Sequence, residues 1–288
     1  MARHLVCLTF DFDTSSGFIA RGLTSPSALS RGEFGIVGAG RILALMKKYD
    51  IPTTWFVPGF TAETYPEMTK RVIDAGHEIG HHGWTHMPPA SWGTVEEEEA
   101  DLIRGIETLR KFIGRAPRGY RSPSWDLSPH SLGLLLKHGF VYDSSLMGDD
   151  YTPYRARQGD VVELKSPMKF GPMTRLIEMP ISWTLDDYPH FEYLRMPTYV
   201  QQGLMSAQVV VQNWIDDFTY LADNLDWGVI TYTFHPYVIG RGHRMMILER
   251  LIRACADKGA VFCTMETAVA EFAKRVPFAA GREEKRGA

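Results

Sequence analysis

Cysteine is scarce: three residues in a chain of 288, Cys7, Cys255 and Cys263, widely spaced and none in a CxxC pair. That excludes a disulfide framework or a structural zinc cluster and predicts a reducing compartment. Basic charge is not in excess either. Lys and Arg number 31 against 34 Asp and Glu, a net charge of -3, which gives no field for a phosphate backbone. Nucleic acid is therefore not an expected partner. No run approaches the ~20 apolar residues of a membrane span, so no membrane association is expected. The opening apolar run in MARHLVCLTFDFD is broken by Asp11 and is too short for a signal-peptide core. The expectation is a soluble cytoplasmic protein. Also missing are a Gly-rich phosphate loop, a GxSxG elbow and any internal repeat. What remains, 44% hydrophobic and 23% charged residues, is the composition of an ordinary globular chain.

Strand-like and helix-like runs alternate along the whole sequence. HLVCLTFDFD reads as a strand ending in carboxylates, GRILALMKKYD as a helix and IPTTWFVPG as a second strand. YPEMTKRVIDAG is amphipathic and stops at Gly76, and HEIGHHGWTH is a third strand with its exit loop. Thr94 and Glu97 have capping-box spacing ahead of a helix that ends at Gly114. GYRSPSW, SPHSLGLLLKHG and VYDSS continue the rhythm, as do LIEMPISW, a helix around 209–221, WGVITYTFHP, MMILERLIRACADKG and AVFCTM. Alternation of this kind predicts parallel strands with crossover helices, and six to eight units suit one (β/α) barrel. The catalytic barrel is expected over residues 1–275, with 276–288 a flexible tail. One segment breaks the rhythm. Residues 14–35 read as a long loop between the first strand and first helix, a candidate lid over the site.

Asp11 and Asp13 lie two apart, so a regular strand would turn both to one face. Two buried carboxylates side by side require a cation or hydrogen bonds to offset their cost. Four of the ten histidines fall in HEIGHHGWTH, with His82 and His86 spaced i, i+4 and His77 and His81 spaced alike. Two neutral imidazoles and one carboxylate would leave open positions on a divalent metal, as catalysis needs. Alone, an HxxxH pair is more often a surface or capping feature. Arg121, Asp143 and His235 each sit at the end of a predicted strand. Taken singly they read as a surface guanidinium, a helix cap and a loop histidine. Together on one barrel rim they would supply a carboxylate partner, an orienting acid and a proton donor. Trp84, Trp125 and Trp183 adjoin these motifs and are candidates for pocket walls. The run of glutamates at 96–99 reads as a solvated first helical turn.

TFDFD, HGWTH, RSPSW, DSS and the strand ending at His235 resemble, in order, the five motifs of the polysaccharide deacetylase (carbohydrate esterase family 4) superfamily. The resemblance covers residues 5 to 270 and implies a distorted (β/α) barrel, single-domain, holding one divalent transition metal, zinc by expectation. It implies Asp13, His82 and His86 as metal ligands and Asp11 as general base. Arg121 would be the partner of Asp11, His235 the proton donor, and Asp143 the acid that orients it. Asp11-Phe12-Asp13 replaces the usual Asp-Asp-Gly, and Ser124 and Trp125 stand where the family has an aromatic directly after the proline. With SRGEFG, WFVPG and LIEMPISWTLDDYPHF, these features look closer to an intracellular branch with cyclic imide hydrolases, a peptidoglycan deacetylase and metal-free allantoinase relatives. The expected function is metal-dependent hydrolysis of a non-peptide C–N bond, in a small cyclic imide or ureide or in an N-acetyl glycan. The expected partners are a small-molecule substrate and further copies of the chain, as a dimer or tetramer. A non-haem iron oxygenase and a non-catalytic sugar-binding barrel are the rivals from other classes.

Overall fold

The computed structural model describes residues 3–196 and 198–278. Most of the expected tail, from 279 onward, lies outside the described residues. The first strand, β1 (Arg3–Asp11), is buried at every position but Arg3, as a strand covered on both faces requires. It is followed by β2 (Thr54–Val57), β3 (Glu78–His81), β4 (Gly119–Tyr120) and β5 (Tyr142–Asp143). Then come β6 (Tyr154–Arg157), β7 (Met173–Glu178), a separate antiparallel ribbon of β8 (Leu194–Arg195) with β9 (Val200–Gln201), and β10 (Trp227–Phe234) and β11 (Val261–Phe262). The main sheet runs β10-β1-β2-β3-β4-β5-β7-β6. Its pairings are parallel except β6 against β7, and β11 pairs with the lower part of β1.

The sheet curls into an irregular barrel. Val229 N donates to Tyr151 O at 2.8 Å, and Asp186 makes an isolated parallel bridge to Thr233. The chain from the far end of the sheet is thereby brought against β10. The helices fall where local signals place them. That over Val95–Ile113 begins with the Thr94–Glu97 capping box and ends at Gly114, φ 71°. Trp55, Trp214, Phe10, Phe12 and Phe234 are fully buried in the largest apolar cluster. Among the described residues no helix is long and apolar enough to cross a membrane.

Residues 14–35 are not the expected loop. They form a short helix, Ser16–Ala20, and the first turns of a 24-residue helix, Pro26–Tyr49. Ser25 caps the long helix by accepting from Ala28 N, and Pro26 opens it, the residue pair that starts helices. Gly32 in this segment, and Gly38 just beyond it, are contact points rather than hinges. A Cβ on Gly32 would lie 2.4 Å from Thr14 O, and one on Gly38 only 1.9 Å from Pro236 O. The long helix is thus pressed against the turns that follow β1 and β10. Gly38→Ala should cost about 1–3 kcal/mol through overpacking. Gly40→Ala, with nothing within 4 Å of the added carbon, should instead gain up to ~1 kcal/mol of helix propensity. Urea unfolding of the two variants checks both signs.

Candidate active site

Parallel strands deliver their C-terminal ends to one rim, the face on which barrel enzymes carry their chemistry. β1 delivers Asp11 and Asp13, β3 is followed by His82 and His86, β4 by Arg121, and β10 by His235. The structure brings these six side chains together, all more than nine-tenths buried. Asp13 Oδ1 lies 3.4 Å from His82 Nε2, and Asp13 Oδ2 lies 3.2 Å from His86 Nε2. One donor atom from each of the three falls within 4.8 Å of the others. His82 Nδ1 is 2.8 Å from Arg121 O, so Nδ1 carries the proton and the Nε2 lone pair faces inward. Asp13 Oδ1 and His82 Nε2 are buried with no hydrogen-bond partner. Buried polar atoms are rarely left in that state. A divalent cation fits this donor set.

Burial works against the Asp13 carboxylate, but His86 and His82 outweigh it and hold its pKa well below the usual range. Burial also opposes the His82 cation, yet Asp11 and Asp13 raise it, while His86 is lowered chiefly by burial. His86 sits at φ 62°, and Thr14, Ser124 and Trp125 around the rim also have positive φ. Such backbone strain gathers where a site over-determines the chain. His81 and His77 are elsewhere. His81 Nε2 meets Leu102 O at 3.1 Å, and burial pushes its pKa down to about 3. His77 bonds Thr53 at the other end of β3.

Asp11 Oδ1 accepts from Arg121 Nη1 at 2.8 Å. Arg121 is fully buried and also donates to Thr9 Oγ1, Ser144 O and Ser144 Oγ, with its face 4.2 Å from the Phe56 ring centre. It holds one edge of Asp11. The other oxygen, Oδ2, lies 3.8 Å from His82 Nε2.

The acid that holds His235 is Asp187, not Asp143. Asp187 Oδ1 is 2.8 Å from His235 Nδ1, and both its oxygens accept from His235 N. Asp186 Oδ1 is 3.6 Å from the same nitrogen, and His235 Nε2 lies 3.7 Å from Asp13 Oδ2. Burial opposes the His235 cation, but Asp186 and Asp187 overcome it and raise the pKa to about 10. Asp186 is itself pushed up to about 8 by burial, against the pull of His235. Asp143, on β5, lies five strand places from β10 in the sheet order. It accepts from Ser145 Oγ at 2.6 Å, and burial raises it to about 6. The sequence did carry a signal for the dyad: two adjacent aspartates in TLDDYPHF, just after a strand.

Asp11, Asp13, His82, His86 and His235 line a cavity of about 380 Å³. Trp125 and Trp183 line it, ring centres 4.1 Å apart, and Tyr188, Tyr237 and Arg21 complete the wall. Trp84 does not line it. Gly59 and Phe60 bond the backbone at 83 and 84. The indole lies over Gly59 with the Arg104 guanidinium 3.1 Å from its ring centre.

Residues 37–142 match the family model described as polysaccharide deacetylase. Over 287 residues the chain is 38% identical to a peptidoglycan deacetylase of Helicobacter pylori, covering 95% of this chain and 97% of that protein. It is 30% identical to a peptidoglycan deacetylase-like protein of Gibberella zeae, over 96% of this chain and 88% of the other. A crystal structure described as a putative polysaccharide deacetylase from Mycobacterium smegmatis superposes with a TM-score of 0.82 at 30% identity, covering 99% and 96% of the two chains. A PuuE allantoinase superposes at 0.78 with 20% identity, over 96% and 93%, a likeness of fold. Identity sustained across both full lengths, with the five motifs meeting on one rim, makes this chain a member of the polysaccharide deacetylase family, hydrolases of C–N amide bonds.

Proposed function

We propose that the protein opens small cyclic imides or ureides by hydrolysis of a ring C–N bond. The size of the cavity and its aromatic wall carry this reading. Its roughly 380 Å³ is near the lower end of small-molecule pockets, and Trp125 and Trp183, tilted 31° to one another, give an aromatic wall for a planar ring. Asp13, His82 and His86 would hold a divalent cation, zinc by expectation, which when bound would supply Lewis-acid polarisation of the carbonyl and a more acidic water. Asp11 accepts the water proton at its Oδ2, while Arg121 keeps Oδ1 fixed. His235 donates from Nε2 to the departing nitrogen, and Asp187 fixes the ring through Nδ1.

A second reading, N-deacetylation of a glycan, is favoured by the full-length similarity to the Helicobacter pylori peptidoglycan deacetylase. The same groups would serve it, because an N-acetyl group presents the same carbonyl and nitrogen. A direct comparison separates the two. We expect ring opening of succinimide, hydantoin or dihydrouracil, with little acetate release from chitin oligomers or peptidoglycan. Acetate release without ring opening would give the function to the glycan.

A further inference from the structure

We propose that Arg21 is a specificity-determining residue that binds a carboxylate carried on the substrate beside the reacting amide. This rests on the cavity reading above. Arg21 follows the short helix Ser16–Ala20 and lines the same cavity as the catalytic groups. It is half-buried, and its guanidinium lies 5.9 Å from the centre of the Tyr188 ring. Among the described residues its side chain's one hydrogen bond runs from Nη1 to Gly17 O, 2.6 Å, and it has no ion pair.

The other charges on the floor are matched. Asp11 is paired with Arg121, Asp187 and Asp186 face His235, and Asp13 faces the two histidines. Among the described residues Arg21 is the charged side chain of this cavity that makes no ion pair, and the Asp13 carboxylate acts on it only from beyond contact distance. A guanidinium has five donors in a planar fork that fits a carboxylate with two parallel hydrogen bonds. Its position suits the reacting bond. A Cβ on Gly17 would lie 3.1 Å from Arg21 Nη1 and 3.7 Å from both Asp13 Oδ2 and His86 Nδ1. Glycine at 17 leaves that space open, so a ring seated over Asp13 can carry its substituent to Arg21. The hydroxyl-bearing rings of Tyr188 and Tyr237 and the amide of Gln201 add further polar groups to the wall.

The test uses two substrate pairs that differ by one carboxylate: hydantoin with hydantoin-5-acetic acid, and N-acetylglucosamine with N-acetylmuramic acid. In the wild-type holoenzyme the carboxylate-bearing member of a pair should have the higher kcat/KM, by roughly 10–100-fold for a charged hydrogen-bonded contact. Arg21→Met should collapse that ratio to within about threefold, and Arg21→Lys should keep part of it, since the charge remains without the fork. A preference confined to the sugar pair upholds Arg21 and removes the ring-opening reading. A preference in the hydantoin pair upholds both. A wild type with no preference, or with turnover of neither pair, overturns the assignment. So does an Arg21→Met variant that loses both members of a pair equally, since that marks a residue that only holds the short helix to Gly17.

Discussion

His82→Ala empties the metal site and lowers turnover by at least ~10²–10³-fold, the scale of losing one transition-state electrophile. The expectation follows from how little the site has to spare. Asp13 and His86 would remain as two donors, and His82 is the candidate ligand whose orientation is fixed from behind by Arg121 O. Such backing interactions set the tautomer and hold the lone pair on the ion. The fold should persist, because the alanine leaves the Arg121 network to Thr9 and Ser144 intact. Elemental analysis beside far-UV circular dichroism reads the two effects separately. A folded variant with full metal content would remove His82 from the ligand set.

Much of this site can be read in the sequence because parallel strands make it local. A residue just beyond a strand's C-terminal end must lie on the rim, so Asp11, Asp13, His82, His86, Arg121 and His235 can be placed without the sheet order. Asp187 could not be placed that way. Its approach to His235 depends on the path from β5 to Asp186, which includes an antiparallel strand and the closing bridge to Thr233. Nothing in the spacing of Asp143 reveals that β5 lies far from β10. The glycines of 14–35 mislead for a related reason. Glycine permits both mobility and close approach, and only the neighbours, Thr14 O at Gly32 and Pro236 O at Gly38 just past the segment, show that close approach is its use at those two positions. Trp84 illustrates the limit for side chains, since its neighbour His82 faces the cavity while the indole turns to Arg104.

Asp11→Asn separates the base from the ligands. Asp11 and Asp13 both approach His82 Nε2, with Asp13 at 3.4 Å and Asp11 at 3.8 Å, so distance alone leaves either able to reach an ion there. Their other contacts distinguish them. Asp11 is committed at Oδ1 to Arg121, whereas Asp13 has its carboxylate between two histidines. Asparagine at 11 keeps an acceptor for Arg121 but cannot take a proton from water. The variant should therefore retain its metal and lose about 10²–10⁴ in kcat, the range for a positioned general base. It should also be less stable, toward the ~3–5 kcal/mol of a broken buried ion pair, because the Arg121 charge is left without its counter-ion. The rate is accordingly measured per folded enzyme, well below a calorimetrically determined Tm. A folded, metal-free Asp11→Asn with the same rate loss would make Asp11 a ligand and move the base elsewhere. A metal-loaded variant with near wild-type rate would leave the proton to another acceptor.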